Sequence, residues 1–154
     1  MGFIERIMSF ATNANASADA TAGEEKTSKA NLRSPVEESL LARLHQASDQ
    51  SYDTGEAQGD PAPLRLHLRF IGTVQGVGFR WTNQGIANQL SLAGWVRNND
   101  DGSVEMEIQG PPAAIAAHLD AVHAYYHRFN NRIWLDEELE CTPQADGNKF
   151  EVRY

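Results

Sequence analysis

Residues 72 to 80 read Gly72-Thr73-Val74-Gln75-Gly76-Val77-Gly78-Phe79-Arg80, and the fold is decided by what lies on either side of them. A run of strict alternation leads in, with Leu64, Leu66, Leu68 and Phe70 set against Arg65, His67 and Arg69. A period of two marks a strand with one buried face. A short helix is expected to follow, from Thr82 to Leu90, with Ile86, Ala87 and Leu90 at helical spacing. The passage between them holds Gly72, Gly76 and Gly78. Glycine takes left-handed angles and leaves its amide uncovered, and successive bare amides near a helix start form an anion-binding hollow. Arg80 ends the segment with a planar, permanently charged fork suited to a phosphoryl group. An anion site, for phosphate, is the first expectation.

Downstream, Leu92 to Arg97 predicts a strand and Asn98 to Gly102 a turn, with Asp101-Gly102 as a hairpin signal. Ser103 to Gln109 returns as a strand, Val104, Met106 and Ile108 facing one way and Glu105 and Glu107 the other. Gly110-Pro111-Pro112 opens a second helix whose buried stripe is Ile115, Leu119 and Val122. Asn131 to Glu140 and Phe150 to Tyr154 supply two more strands. The order is βαββαβ with an extra C-terminal strand. It predicts an α+β sandwich of ferredoxin-like type, with two helices on one face of a mainly antiparallel sheet.

Composition divides the chain near residue 63. Residues 1–63 are rich in Ala, Ser, Asn, Asp, Glu and Gly and poor in aromatics, so they are expected to form a mostly disordered acidic extension. Residues 64–154 hold all three Trp and form the domain. Within the extension, Ser34-Pro35-Val36-Glu37 has the form of a capping box, and Val36, Leu40, Leu41 and Leu44 share one helical face. A short helix over 35–46 is expected there, marginal on its own. Met1-Gly2 begins like a myristoylation signal, but Arg6 stands where Ser or Thr is needed. No long apolar run marks a secretory signal or a membrane span, so a cytoplasmic location is expected.

Charge narrows the function classes. Five Lys/Arg and ten Asp/Glu fall in residues 1–63, and eight and eleven in residues 64–154, for a total of −8. An acidic domain is a poor general binder of nucleic acid, whereas one local arginine pocket is compatible with it. Cys141 is the single cysteine, which excludes an intramolecular disulfide and a cysteine-based zinc site made by this chain alone.

Several segments together carry a resemblance. Val74-Gln75-Gly76-Val77-Gly78-Phe79-Arg80, then Gly94-Trp95-Val96-Arg97-Asn98, then Asp101-Gly102-Ser103-Val104-Glu105, resemble the signature stretches of the acylphosphatase family. Gln109-Gly110-Pro111 and Phe150-Glu151-Val152-Arg153-Tyr154 look like its later landmarks, so the resemblance covers about residues 64 to 154. It implies a hydrolase that cleaves acyl phosphates to a carboxylate and inorganic phosphate, without metal or cofactor; a small-molecule substrate and a monomer are the expected partner state. It implies that Arg80 and Asn98 are catalytic, and that the amides of Gln75, Gly76, Val77, Gly78, Phe79 and Arg80 hold the phosphate. Departures are Thr82 and Asn83, where the family often has an aromatic and a Thr, and Ser91, where it commonly has Gly.

Other residues read as scaffold. His118, His123 and His127 lie on the second helix, and the last two have the spacing of some metal pairs, but Ala-Tyr-Tyr between them lacks a catalytic Glu. A solvated helix face is expected for them. Asp136, Glu137, Glu138 and Glu140 read as a charged edge that discourages strand pairing. Trp81, Trp95 and Trp134 read as core or rim packing. Two alternatives to the hydrolase are a non-catalytic phosphate-sensing relative and an RNA-binding module. The RNA reading is disfavoured because the Gly-Phe-Arg segment follows the first strand rather than lying on the third.

Overall fold

The structure, a computed structural model, describes residues 32–53, 62–145 and 149–154. Among the described residues eight elements follow in order: α1 (Pro35–Asp53), β1 (Leu64–Gly72), α2 (Phe79–Gln89), β2 (Ala93–Asn98), β3 (Val104–Gly110), α3 (Pro112–Arg128), β4 (Ile133–Cys141) and β5 (Phe150–Arg153). The strands form one sheet in the order β4-β1-β3-β2-β5. β1 pairs antiparallel with β3 and β4, β2 pairs antiparallel with β3, and β5 runs parallel to β2. This is the expected α+β ferredoxin-like order with its extra strand.

Strand pleating sorts the residues of each strand into two faces. Leu66, Leu68 and Phe70 of β1, Val96 of β2, and Val104, Met106 and Ile108 of β3 are buried, in one core with Ile86 of α2 and Ile115, Leu119 and Val122 of α3. The opposite face carries charge paired across the strands. Arg65 Nε donates to Glu107 Oε1 at 2.8 Å, and Arg97 Nη2 to Glu105 Oε2 at 3.2 Å. β4 is an edge strand, as its acidic run led one to expect, and two of its acids have partners: Asp136 pairs with Arg69 and Glu138 with Arg43.

Three expectations change. First, α1 runs to Asp53, past the expected end at 46, and packs against α3 and β4 as a third helix. The Glu37 N–H donates to Ser34 Oγ at 3.0 Å, which is the capping contact the sequence called for. Leu40, Leu41 and Leu44 join the domain core, so tertiary burial supplies what an isolated helix lacks. Disorder expected over residues 1–31 and 54–61 lies outside the described residues. Second, α2 starts at Phe79 rather than Thr82, because Gly78 at φ 73° takes the cap position immediately before it. Third, His118 and His123 are buried rather than solvated. Of the tryptophans, Trp95 is buried, Trp134 is half-buried and Trp81 stands exposed.

Candidate active site

The glycine loop leaves the sheet at the end of β1 and is fastened at both ends. Thr73 N–H donates to Arg132 O at 2.7 Å, while Val74 and Phe79 put their side chains into the core. Phe79 packs edge-on against Phe70, with ring centres 5.2 Å apart. Gly76 at φ 78° and Gly78 at φ 73° turn the loop between these anchors. A Cβ built on either glycine meets nothing within 4 Å, so the backbone angle demands glycine there and the space above it is open. The first loop amide to enter the helical ladder is that of Thr82, which donates to Gly78 O at 2.9 Å. From Gln75 to Trp81 no main-chain N–H reaches a main-chain carbonyl among the described residues. A row of bare amides at a helix start attracts an oxyanion both by hydrogen bonding and by the helix dipole.

Arg80 sits in the first turn of α2. Its Nη1 donates to Arg153 O at 3.3 Å, and its guanidinium lies 4.9 Å from the centre of the Tyr154 ring. Arg153 is the register partner of Arg97, the residue before Asn98. Asn98 ends β2 two residues after Val96, so pleating turns it to the face that carries the helices. Its Oδ1 is enclosed and has no hydrogen-bond partner among the described residues. On the other side, Gln75 Nε2 donates to Asn99 O at 2.7 Å and to Ser103 O at 2.9 Å. The loop, Arg80 and Asn98 therefore meet at one end of the sheet. Of the expected set, Gln75 contributes a side-chain brace to the hairpin as well as a backbone amide.

Behind the loop lies a polar layer that sequence reasoning missed. Tyr126 Oη is 3.0 Å from Val77 O and 3.0 Å from Thr82 Oγ1. Asn83 Nδ2 donates to Phe79 O at 2.8 Å, and Asn83 Oδ1 is 2.8 Å from His118 Nε2. An amide oxygen only accepts, so His118 carries its proton on Nε2. Burial pushes the His118 imidazole down to about 3, which keeps it neutral in that role. A signal was present in the sequence: His118, Val122 and Tyr126 recur along the buried stripe of α3, where a polar side chain needs a partner.

A family model for acylphosphatase matches residues 66–152. The chain belongs to the acylphosphatase family. Over 89 residues it is 46% identical to the acylphosphatase of Pediococcus pentosaceus, a match that covers 58% of this chain and 97% of that protein. Over 60 residues it is 52% identical to the acylphosphatase of Geobacillus kaustophilus, covering 39% of this chain and 64% of that relative. Among solved structures, the acylphosphatase of Bacillus subtilis is 33% identical with a TM-score of 0.48, covering 59% of this chain and 99% of that one. T. kodakarensis HypF is 29% identical with a TM-score of 0.50, covering 59% of this chain and 12% of that one. This acylphosphatase-family domain is thus preceded by a docked helix, α1, that lies outside the residues the family model matches.

Proposed function

We propose that the chain hydrolyses acyl phosphates to a carboxylate and inorganic phosphate, with Arg80 and the loop amides binding the phosphoryl group and Asn98 orienting water. An acyl phosphate already has a good leaving group, so positioning and charge stabilisation carry most of the work. The amides of Gln75, Gly76, Val77, Gly78, Phe79 and Arg80, together with the Arg80 fork, offset charge on the three equatorial oxygens. The Asn98 carboxamide accepts a hydrogen bond from water through Oδ1 and aligns the water oxygen with the phosphorus. The new P–O bond forms as the bond from phosphorus to the bridging oxygen breaks. The electron pair leaves with the carboxylate, and the water proton passes to a phosphoryl oxygen. Asparagine is no base at neutral pH, so its part is orientation.

The observation that carries this reading is the enclosed, unpartnered Asn98 Oδ1 at the same sheet end as a row of bare amides and an arginine. Hydrolysis of benzoyl phosphate tests it, with inorganic phosphate as competitive inhibitor and EDTA without effect. Arg80→Ala and Asn98→Ala should each lower kcat/KM by about 10³-fold or more, in the range seen when a transition-state contact is deleted. Both variants should keep wild-type circular dichroism. Wild-type turnover in either one ends the assignment.

A further inference from the structure

We propose that Tyr126 is a positioning residue for the phosphate: its hydroxyl holds the Val77 carbonyl so that the Gly78 N–H at the other end of the same peptide faces the anion. The inference deepens the loop's role as phosphate cradle and rests on it. The argument starts from hydrogen count. The hydroxyl is 3.0 Å from two oxygens, Val77 O and Thr82 Oγ1, and has one proton to give. A carbonyl can only accept, so Tyr126 donates to Val77 O and accepts the Thr82 hydroxyl proton. Burial pushes the Tyr126 hydroxyl up to about 12, so the donor keeps its proton across the neutral range. Its ring is wedged between Phe79, 5.4 Å away, and Tyr125, 5.0 Å away, which stops the hydroxyl from swinging.

The consequence for the loop follows from peptide geometry. In a planar trans peptide the C=O and N–H point in opposite directions, so fixing one aims the other. Val77 O and Gly78 N–H belong to one such unit. Gly78, at φ 73° and without a Cβ, offers little resistance to a flip of that unit. A flipped peptide would present an oxygen to the anion in place of an N–H. The half-buried Val77 side chain packs against the core, which anchors the residue without fixing which way its carbonyl points. Tyr126, reaching across from α3, makes the flip cost the hydrogen bond to Val77 O. Asn83 applies the same device two residues on, holding Phe79 O from behind the first turn of α2.

Tyr126→Phe removes one oxygen and keeps the ring, and Thr82→Val removes the hydroxyl behind it while leaving the Tyr126–Val77 bond. The readouts are the Kd of inorganic phosphate by calorimetry, the phosphate-induced shift of the Gly78 amide resonance, and kcat and KM for benzoyl phosphate. Tyr126→Phe should weaken phosphate about 10-fold, raise KM by a similar factor and shrink the Gly78 shift, as loss of one aimed donor implies. Thr82→Val should change Kd by less than about 3-fold, since the carbonyl bond remains. A Tyr126→Phe protein with lowered Tm but unchanged Kd and Gly78 shift overturns the proposal, as does a Thr82→Val loss equal to that of Tyr126→Phe. A wild-type chain that binds phosphate without turnover sinks the hydrolase reading alone, because the ratio of phosphate Kd values still decides the role of Tyr126. A wild-type chain that does not bind phosphate overturns both.

Discussion

The side-chain amide of Gln75 spans from the glycine loop to the β2–β3 hairpin, donating to the main-chain carbonyl of Asn99 at 2.7 Å and of Ser103 at 2.9 Å. Asn99 follows Asn98 directly, so this brace sets the distance between the amide cradle and the proposed water-orienting group. Gln75→Glu keeps the shape but cannot donate, and it sets a negative charge against two carbonyls. Its cost should be about 1–3 kcal/mol in stability, the range for leaving buried polar groups unpaired. Turnover should fall further than stability suggests, because a shift of about 1 Å between reacting groups is worth about 100-fold in rate. Gln75→Ala should be milder, since Ser103 O keeps its bond from the Asn99 N–H at 2.8 Å. Steady-state kinetics with benzoyl phosphate, beside thermal melts, check this. A Gln75→Glu enzyme with wild-type kcat/KM would show that the brace does not set the site.

Ser91 stands in the left-handed region, at φ 57°, just past the end of α2. Its N–H donates to Asn88 O at 3.2 Å and the next N–H, of Leu92, to Ala87 O at 2.8 Å, the paired bonds of a Schellman cap. That position favours glycine, and a Cβ there costs about 1–2 kcal/mol. Ser91→Gly should therefore stabilise the protein by about 1 kcal/mol after glycine's greater unfolded-state entropy is subtracted. In a thermal melt this is a rise of about 3–6 °C. A Tm that falls would mean that the Ser91 side chain contributes more than its backbone costs.

Sequence and structure agree where a local rule has one outcome. The alternation from Leu64 to Phe70 leaves one face for the core, and the glycines between Val74 and Arg80 mark a turn that needs left-handed angles, which Gly76 and Gly78 adopt. Ser91 was legible as a departure, but its strain was not, because that depends on φ. The buried histidines were read wrongly for a different reason. A polar residue on a helix is solvated unless a partner reaches it, and the partner of His118 is Asn83, on another helix. Thr82 and Asn83 showed in the sequence only as substitutions, and their use appears once α3 supplies Tyr126 and His118. The docking of α1 was likewise hidden, since Leu40 and Leu44 say that a face is apolar without saying what covers it.

Residues 64–154 are proposed to form the domain that folds and acts by itself, with α1 as an accessory. A chain starting near Pro61 should fold and retain the benzoyl phosphate kcat and KM of the full chain, because α1 packs on α3 and β4, away from the end of β2. It should melt lower, since the surface under Leu40, Leu41 and Leu44 is uncovered. In the full chain, Leu40→Ala should cost no more than this truncation, because the helix can undock instead of tolerating a cavity of the usual 2–5 kcal/mol. Melts and kinetics of the three proteins side by side check the point. A truncated chain that is folded but inactive would assign α1 to the site.

Two buried groups give stability a pH profile with opposite slopes. Burial raises the Glu37 carboxyl to about 7, against the pull of Arg33, whose Nη1 lies 3.0 Å from Glu37 Oε2 and 3.0 Å from Asp120 Oδ1. A carboxyl raised on folding adds stability that is complete below its unfolded value of 4.5 and is lost as pH climbs to about 7. Burial lowers His118 from 6.5 to about 3, so its contribution is complete above 6.5 and is lost as pH falls to about 3. Between 4.5 and 6.5 the two slopes offset each other, and these groups leave stability level there. Glu37→Gln, which can still accept from Arg33, removes one slope. Its stability should then rise with pH from 4.5 to 6.5 by about 1.4 kcal/mol per pH unit, the value for one proton. Urea denaturation at half-unit pH steps resolves the difference. A Glu37→Gln profile as level as that of the wild type would mean that His118 is not held neutral by the fold, and the tautomer assigned beside Asn83 would fall with it.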